Sequence, residues 1–274
     1  MPELPEVETI VRSLEGKIVN HRIRRVEVLS EKAVKTPEIG LFVARLEGQR
    51  ITGVGRRGKH LLIRIGSSWV LVIHLRMTGR LIYTEEDTPC DRYTHVIFHL
   101  DNGGEIRFHD VRRFGTIHLL TNAEAERFPS LCSLGPDALD PELTRDAFKK
   151  RLKGRRGQIK KILLDQSFVT GIGNIYANEI LWKARVHPER TVDSLSSREQ
   201  GMIYRAMREV LSLAVAHRGT TLRDYVDGEG VPGEFQGLLA VHGREGAPCP
   251  SCKKPIVRAK IGGRSAFFCP FCQK

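Results

Sequence analysis

The chain has 274 residues, 44 of them Lys or Arg and 32 Asp or Glu, leaving a formal charge of +12 and a pI near 9.7. An apolar fraction of 41% beside a charged fraction of 28% excludes a disordered chain, and six cysteines are too few for a disulfide scaffold. No run of about 18 uncharged apolar residues exists to span a membrane, and the excess positive charge points to a polyanionic partner, although a basic protein needs none.

The N-terminal stretch, Met1 to Thr9, is acidic and lacks an apolar core, so no secretory signal is expected. Val7, Ile10, Val11 and Leu14 recur at helical spacing and Pro5 suits a first turn, which predicts a helix over 4–14. After Gly16 the period shortens. Residues 24–29, 61–65, 70–75 and 95–100 read as strands, and in the last Val96, Phe98 and Leu100 alternate with polar residues. Asp101, Asn102, Gly103 and Gly104 form a hairpin turn into Ile106 and Phe108. The first 120 or so residues are therefore expected to form a β-sandwich behind a leading helix. The Pro-bearing stretch 129–141 reads as a linker.

Residues 144–217 read as helical. Ser197 and Gln200 fit a capping box; Ile203, Met207, Val210 and Ala214 follow in helical register, and Gly219 stands where a helix C-terminus favours glycine. Between 158 and 182 the pattern is helix, a turn with Gly171 and Gly173, then helix. Asn174 lies near the second N-terminus, where backbone N–H groups and the helix dipole can hold a phosphate. Gly-x-Gly alone is weak and does not follow a strand, as a dinucleotide fold requires. The preceding Arg151, Lys153, Arg155, Arg156, Lys160 and Lys161 favour a nucleic-acid phosphate over a merely solvated basic face.

Cys249 and Cys252, then Cys269 and Cys272, have the spacing of a four-thiolate zinc site. Disulfides would need an oxidising compartment, for which there is no signal. Four thiolates leave no open coordination position, so one structural Zn2+ is expected. Cys90 and Cys132 stand alone and read as ordinary thiols. Residues 256–268 read as a β-hairpin whose glycine tip presents Arg264.

Several segments together resemble the formamidopyrimidine-DNA glycosylase family, which excises oxidised purines such as 8-oxoguanine. They are Pro2 to Thr9 (PELPEVET), Arg56 to Lys59 (RRGK), His74 to Gly79 (HLRMTG), Asp110 to Gly115 (DVRRFG), Gly171 to Tyr176 (GIGNIY) and the cysteine segment with Arg264. The likeness runs from residue 2 to the C-terminus in the family's order, and the N-terminal motif is the most specific part. It implies an α+β protein: an N-terminal β-sandwich catalytic domain with a leading helix over 1–130, a linker over 131–143, a helix–two-turns–helix DNA-binding domain with a lesion loop over 144–235, and a four-Cys zinc-finger hairpin over 236–274. It implies a monomer in the cytoplasm, associated with the nucleoid, acting on double-stranded DNA that contains an oxidised base and having no membrane attachment.

The same resemblance assigns roles. Methionine before a small residue is commonly removed, and a free α-amino group has a pKa of about 7.7–8.0, so an exposed Pro2 amine is partly unprotonated near neutrality. Pro2 would attack the deoxyribose C1′ and form a Schiff base, with Glu3 as general acid on the sugar. Lys59 would contact the damaged site and donate a proton; Arg264 would grip the phosphate and assist δ-elimination. In an unrelated chain Pro2 would merely start the protein, Glu3 and Glu6 would complement a helix dipole, and Lys59 would be a surface cation beside Arg56 and Arg57. Met77, Arg112 and Phe114 match the trio that fills the void left by an extruded nucleotide; elsewhere Met77 and Phe114 would read as core residues at strand ends. His74, Tyr93, Arg113, Arg156, Lys160 and Asn174 would hold DNA, Tyr93 standing where relatives commonly have His. Glu6, Thr220, Thr221, Arg223 and Tyr225 would form the base pocket, with backbone amides of loop 220–225 reading the base edge, and the glycine-rich stretch 228–237 is expected to be mobile. Thr78, Asp224, Asn178 (for a frequent Asp or Ser) and His242 (for a frequent Tyr) depart from the family pattern. Two competing readings are an endonuclease VIII-like glycosylase for oxidised pyrimidines, disfavoured by Leu4 and the Arg112–Phe114 pair, and a catalytically silent lesion binder, disfavoured by Pro2, Glu3 and Lys59.

Overall fold

The leading apolar repeat folds as helix α1 (Leu4–Ile18), one turn longer than its spacing predicts because Ile18 extends the buried stripe of Val7, Ile10, Val11 and Leu14. The computed structural model describes residues 1–85 and 88–274. They divide into two units, Met1–Cys132 with His217–Gln236, and Ser133–Ala216 with Gly237–Lys274.

After α1 the first unit continues as β1 (Ile23–Val28), β2 (Val34–Thr36), α2 (Ile39–Leu46), β3 (Ile51–Arg57), β4 (His60–Ile65), β5 (Trp69–His74), β6 (Gly79–Glu85), β7 (Thr94–Leu100), β8 (Gly104–Asp110), β9 (Thr116–Thr121), α3 (Asn122–Arg127) and α4 (Pro129–Cys132). One sheet has the order β1-β7-β8-β6 and the other β2-β9-β5-β4-β3. Alternate residues of the two sheets, among them Phe98, Phe108, Ile63 and Ile73, share one core with α1 and with Phe42 and Leu46 of α2. Truncating such a side chain to Ala costs about 2–5 kcal/mol. Strand β5 is apolar from Trp69 to Ile73 because both its faces are covered: Leu71 and Ile73 face the shared core, while Val70 and Val72 join Leu120 beneath Phe128 and Leu131.

The segment His217–Gln236, which the sequence groups with the helices, packs with the first unit. Tyr225 joins the core cluster, and its hydroxyl donates to the carbonyls of Glu6 (3.2 Å) and Arg218 (3.1 Å). The glycine-rich stretch is tied down, contrary to the expected mobility. The Gly228 N–H donates to Ser13 Oγ at 2.9 Å, the Gly228 carbonyl accepts from Tyr83 N–H at 2.7 Å, and fully buried Asp227 accepts from the N–H groups of Glu229 and Val231 and from the Arg218 guanidinium. A Cβ at Gly233 would overlap the carbonyl of Gly219, so glycine is needed there for close approach rather than for motion.

The second unit contains α5 (Arg145–Leu152), α6 (Ile159–Leu164), α7 (Asn174–Lys183), α8 (Ser197–Ala216) and the hairpin β10 (Val257–Ile261) and β11 (Arg264–Phe268). Phe148 packs edge-on against Phe168 at 5.3 Å and tilted against Tyr204 at 5.7 Å. The capping box of α8 lies one residue earlier than predicted. Ser196 Oγ accepts the Glu199 N–H and the Glu199 carboxylate accepts the Ser196 N–H at 2.7 Å, a stronger acceptor than the Gln200 amide, which instead donates to the Leu195 carbonyl. Gly262 and Gly263, at φ 58° and 77°, make the tight left-handed turn that the hairpin requires. Among the described residues no helix is long and apolar enough to cross a membrane.

Candidate active site

At the head of α1, Pro2 and Glu3 are both buried beside exposed Met1. Glu6, expected in a base pocket, is already committed: one carboxylate oxygen accepts the Glu3 N–H at 2.8 Å and the other the Thr220 N–H at 2.7 Å. It ties the loop to α1, and Gly219 (φ 78°) fits because a Cβ there would stand 2.8 Å from Glu6 Oε1. The Thr221 N–H donates to Gln236 Oε1 at 3.0 Å, and its hydroxyl bridges the Tyr225 carbonyl and the Gly233 N–H. Two of the loop 220–225 amides expected to read a base edge are thus satisfied internally. Arg223 is exposed, whereas Tyr225 is a core residue whose hydroxyl burial, reinforced by Glu6, holds well above the ordinary phenol range.

Lys59 follows Gly58 (φ 56°) at the β3–β4 turn and is buried. Nearby, His60 and His74 meet edge to face at 4.6 Å. Burial, then the charges of His60, Arg76 and Lys59, lower the His74 pKa to about 3; burial lowers that of His60 to about 4. His74 Nδ1 accepts the Arg76 N–H at 3.0 Å, so the neutral ring carries its proton on Nε2 as a donor. Both folded values lie below the ordinary 6.5 of the unfolded chain. The unfolded state therefore takes up protons first, so the stabilisation is complete above pH 6.5 and is lost as pH falls through the folded values. Urea midpoints are expected to fall between pH 6.5 and 4.5 with a slope approaching about two protons from these rings; a flat profile over that range would contradict the assignment.

Met77 and Phe114 are 48% and 52% exposed, which sets aside the reading of both as core residues. Arg112 joins them: its Nη1 donates to Met77 Sδ at 3.1 Å and its guanidinium lies 4.7 Å over the Phe114 ring. The residue that organises these loops is Asp110, fully buried, a member of the Asp110–Gly115 segment with no role assigned from its sequence. Its carboxylate accepts the Thr78 hydroxyl and the N–H groups of Arg112 (3.1 Å) and Gly115 (2.7 Å). Carboxylate capture of nearby N–H groups is what Asp does in turns, so the spacing from Asp110 to Arg112 and Gly115 was the available signal. Arg113 is exposed at φ 57°. Tyr93 lies edge-on to His109 at 5.7 Å with the Arg92 guanidinium 4.8 Å over its ring.

In the second unit, Gln166 shapes the turn before α7 by accepting the Gly171 N–H at 3.0 Å and donating to the Ile172 carbonyl at 2.8 Å. Arg156 is exposed, but Lys160 is fully buried and its Nζ donates to the Ser265 carbonyl at 2.8 Å. Asn174 Nδ2 donates to the same carbonyl at 3.0 Å, and its buried Oδ1 has no partner among the described residues. Both side chains therefore converge on the residue next to exposed Arg264.

The Sγ atoms of Cys249, Cys252, Cys269 and Cys272 lie within 4.8 Å of one another, with Cys252 to Cys269 at 3.4 Å and Cys249 to Cys272 at 3.9 Å. A tetrahedral ion with Zn–S bonds of about 2.3 Å needs separations near 3.8 Å, so the donors fit zinc. The Trp182 indole N–H donates to Cys249 Sγ at 3.5 Å, an outer contact that orients a thiolate. Four sulfurs close the coordination shell, and the one Zn2+ they hold is structural.

Three family descriptions cover most of the chain: the formamidopyrimidine-DNA glycosylase N-terminal domain matches residues 1–117, the H2TH domain 134–226, and the zinc finger found in FPG and IleRS 246–274. A formamidopyrimidine-DNA glycosylase from Desulforamulus reducens is 50% identical over 100% of this chain and 99% of its own. One from Bacillus cereus is 41% identical over 100% and 99%. A crystal structure of a Lactococcus lactis FPG mutant in complex with DNA containing Fapy-dG superposes with a TM-score of 0.93 at 33% identity, covering all of both chains. The L. lactis protein with DNA containing an abasic site also gives 0.93, at 33% identity over 99% of each chain. The chain belongs to the formamidopyrimidine-DNA glycosylase family.

Proposed function

We propose that this protein is a base-excision-repair DNA glycosylase that removes oxidised purines, 8-oxoguanine and formamidopyrimidines, and then cuts the strand as an AP lyase. The observation that carries the reading is the pairing of Pro2 with the buried Glu3 carboxyl at the head of α1, in a chain aligned end to end with glycosylases of that name.

With Met1 attached the Pro2 nitrogen is an amide; its removal leaves a secondary amine. That amine attacks C1′ and gives up its proton to the departing base, which leaves with the electron pair of the glycosidic bond, while Glu3 protonates the sugar ring oxygen so that the ring opens to the iminium. The iminium acidifies C2′. Loss of a C2′ proton expels the 3′-side phosphate from C3′ (β-elimination), and loss of a further sugar proton expels the 5′-side phosphate from C5′ (δ-elimination). Water then releases the sugar fragment from Pro2. Lys59 supplies a proton at the damaged site. Met77 and Phe114, each already in contact with Arg112, occupy with it the space of the extruded nucleotide. His74, Tyr93, Arg113 and Arg156 hold phosphates, as does Arg264, with Lys160 and Asn174 fixing its neighbour. Thr220, Thr221 and Arg223 read the base once their loop releases its internal bonds. Zinc holds the hairpin and takes no part in bond making. The protein acts as a monomer on the nucleoid in the cytoplasm, through a sandwich region near residues 1–130 joined by the loop segment 217–236, a helical region that starts near residue 144, and a zinc-finger region that ends at residue 274.

Cleavage of matched duplexes tests this reading. An 8-oxoguanine duplex should be cut at least about tenfold faster than one carrying an oxidised pyrimidine, a discrimination that pocket contacts routinely supply. The opposite preference would establish the endonuclease VIII-like activity, and binding without cleavage the silent binder.

A further inference from the structure

Two buried or half-buried side chains from separate segments of the second unit, Asn178 and His242, meet each other. Asn178 Nδ2 lies 2.8 Å from His242 Nδ1, and the His242 ring stands edge-on to Phe267 of β11 at 5.2 Å. His242 is fixed from its backbone as well: its N–H and those of Ala240 and Val241 all donate to the buried Glu179 carboxylate, at 2.7, 2.8 and 3.0 Å. Asn174 and Asn178 lie one turn apart on the same face of α7. Asn174 reaches the carbonyl of Ser265, and Asn178 reaches the ring that abuts Phe267. α7 therefore holds β11 at two points, two residues apart, next to Arg264 at the strand's start.

We infer that Asn178 and His242 are a positioning pair for Arg264: the amide orients the imidazole, and the imidazole seats Phe267 and with it the strand that presents Arg264. The inference rests on the lyase reading above, since Arg264 is the group whose placement it explains. Burial, and secondarily the Lys160 charge, lower the His242 pKa to about 4, so the ring is neutral where the enzyme works and acts by contact rather than as a cation. Asn178 is itself buried, and its amide Nδ2 is anchored on Nδ1 of His242, while its Oδ1 has no partner among the described residues.

The full zinc-loaded protein carrying Asn178→Ala or His242→Ala is tested on a duplex with an abasic site, with two readouts taken together. Borohydride trapping reports the Schiff base at Pro2, and the ratio of β- to β,δ-elimination products reports the step assigned to Arg264. The δ-step should slow about tenfold, the scale of a positional error at a reacting group, while trapping stays within about twofold. His242→Phe, which keeps a ring against Phe267, should recover most of the δ-step lost in His242→Ala. Zinc content and the unfolding midpoint of each variant are measured alongside, and His242→Phe remains decisive if an alanine variant folds poorly. Equal slowing of trapping and δ-elimination, an unchanged product ratio, or no recovery in His242→Phe would overturn the inference. Absence of any adduct with the unsubstituted protein would instead remove the glycosylase reading, and this inference with it.

Discussion

Replacing Glu3 by Gln is expected to slow excision of 8-oxoguanine by about 10²–10⁴-fold, the usual contribution of a positioned general acid. The carboxyl sits buried one residue from the Pro2 nitrogen, where a carboxamide is close in size but has no proton to give at useful acidity. The Glu3 backbone N–H remains bound to Glu6, so the loop tie and α1 persist in the variant. The effect should be selective. At a preformed abasic site the base is already gone and the open-chain aldehyde reacts with the amine directly, so nicking there should fall by no more than about tenfold. Single-turnover rates on the two substrates check this; equal loss on both would mean that Glu3 acts by holding the N-terminus rather than by proton transfer.

Asp110→Ala should be the most damaging change outside the chemistry. One fully buried carboxylate satisfies a hydroxyl and two backbone N–H groups from the loops that carry Met77, Arg112 and Phe114. Bonds to a charged acceptor are worth about 1.5–3 kcal/mol each, and three are lost, which puts the loss at about 4.5 kcal/mol or more. Asn is a poor substitute: Arg112 and Gly115 bond different oxygens, so its NH₂ must face one of the two N–H groups. Excision from duplex DNA should fall about 100-fold as the trio loses its arrangement. Thermal unfolding and duplex cleavage measured together test the point, and an unchanged midpoint would remove Asp110 from its central place.

Local patterns were legible in the sequence, and contacts between distant segments were not. The four cysteines, the α1 stripe and the glycine tip of the β10–β11 hairpin each depend on spacings of a few residues, which a periodicity or a turn preference captures. Hubs made by buried carboxylates join residues far apart: Glu6 binds Thr220, and Glu179 binds residues 240–242. Nothing in the neighbourhood of either residue marks it as a tertiary acceptor. Lys160 shows the opposite failure. It belongs to a run of cations that reads as solvated or phosphate-facing, yet it is fully buried and spends its ammonium on the Ser265 carbonyl. Charge runs predict average exposure and not the fate of the member that falls on the apolar face of α6, between buried Ile159 and Leu163. Tyr225, expected to line a base pocket, is buried for a similar reason, since the loop folds back on α1 and the ring fills the sandwich core.

In the proposed mechanism an amine at the head of α1, and no lysine, is the nucleophile. Borohydride trapping on an 8-oxoguanine duplex, followed by proteolysis and mass measurement of the cross-linked peptide, tests it most directly. The expected result is a sugar adduct on the N-terminal peptide at Pro2 in protein lacking Met1. An adduct on Lys59 or any other lysine, or an active preparation that retains Met1, would contradict it.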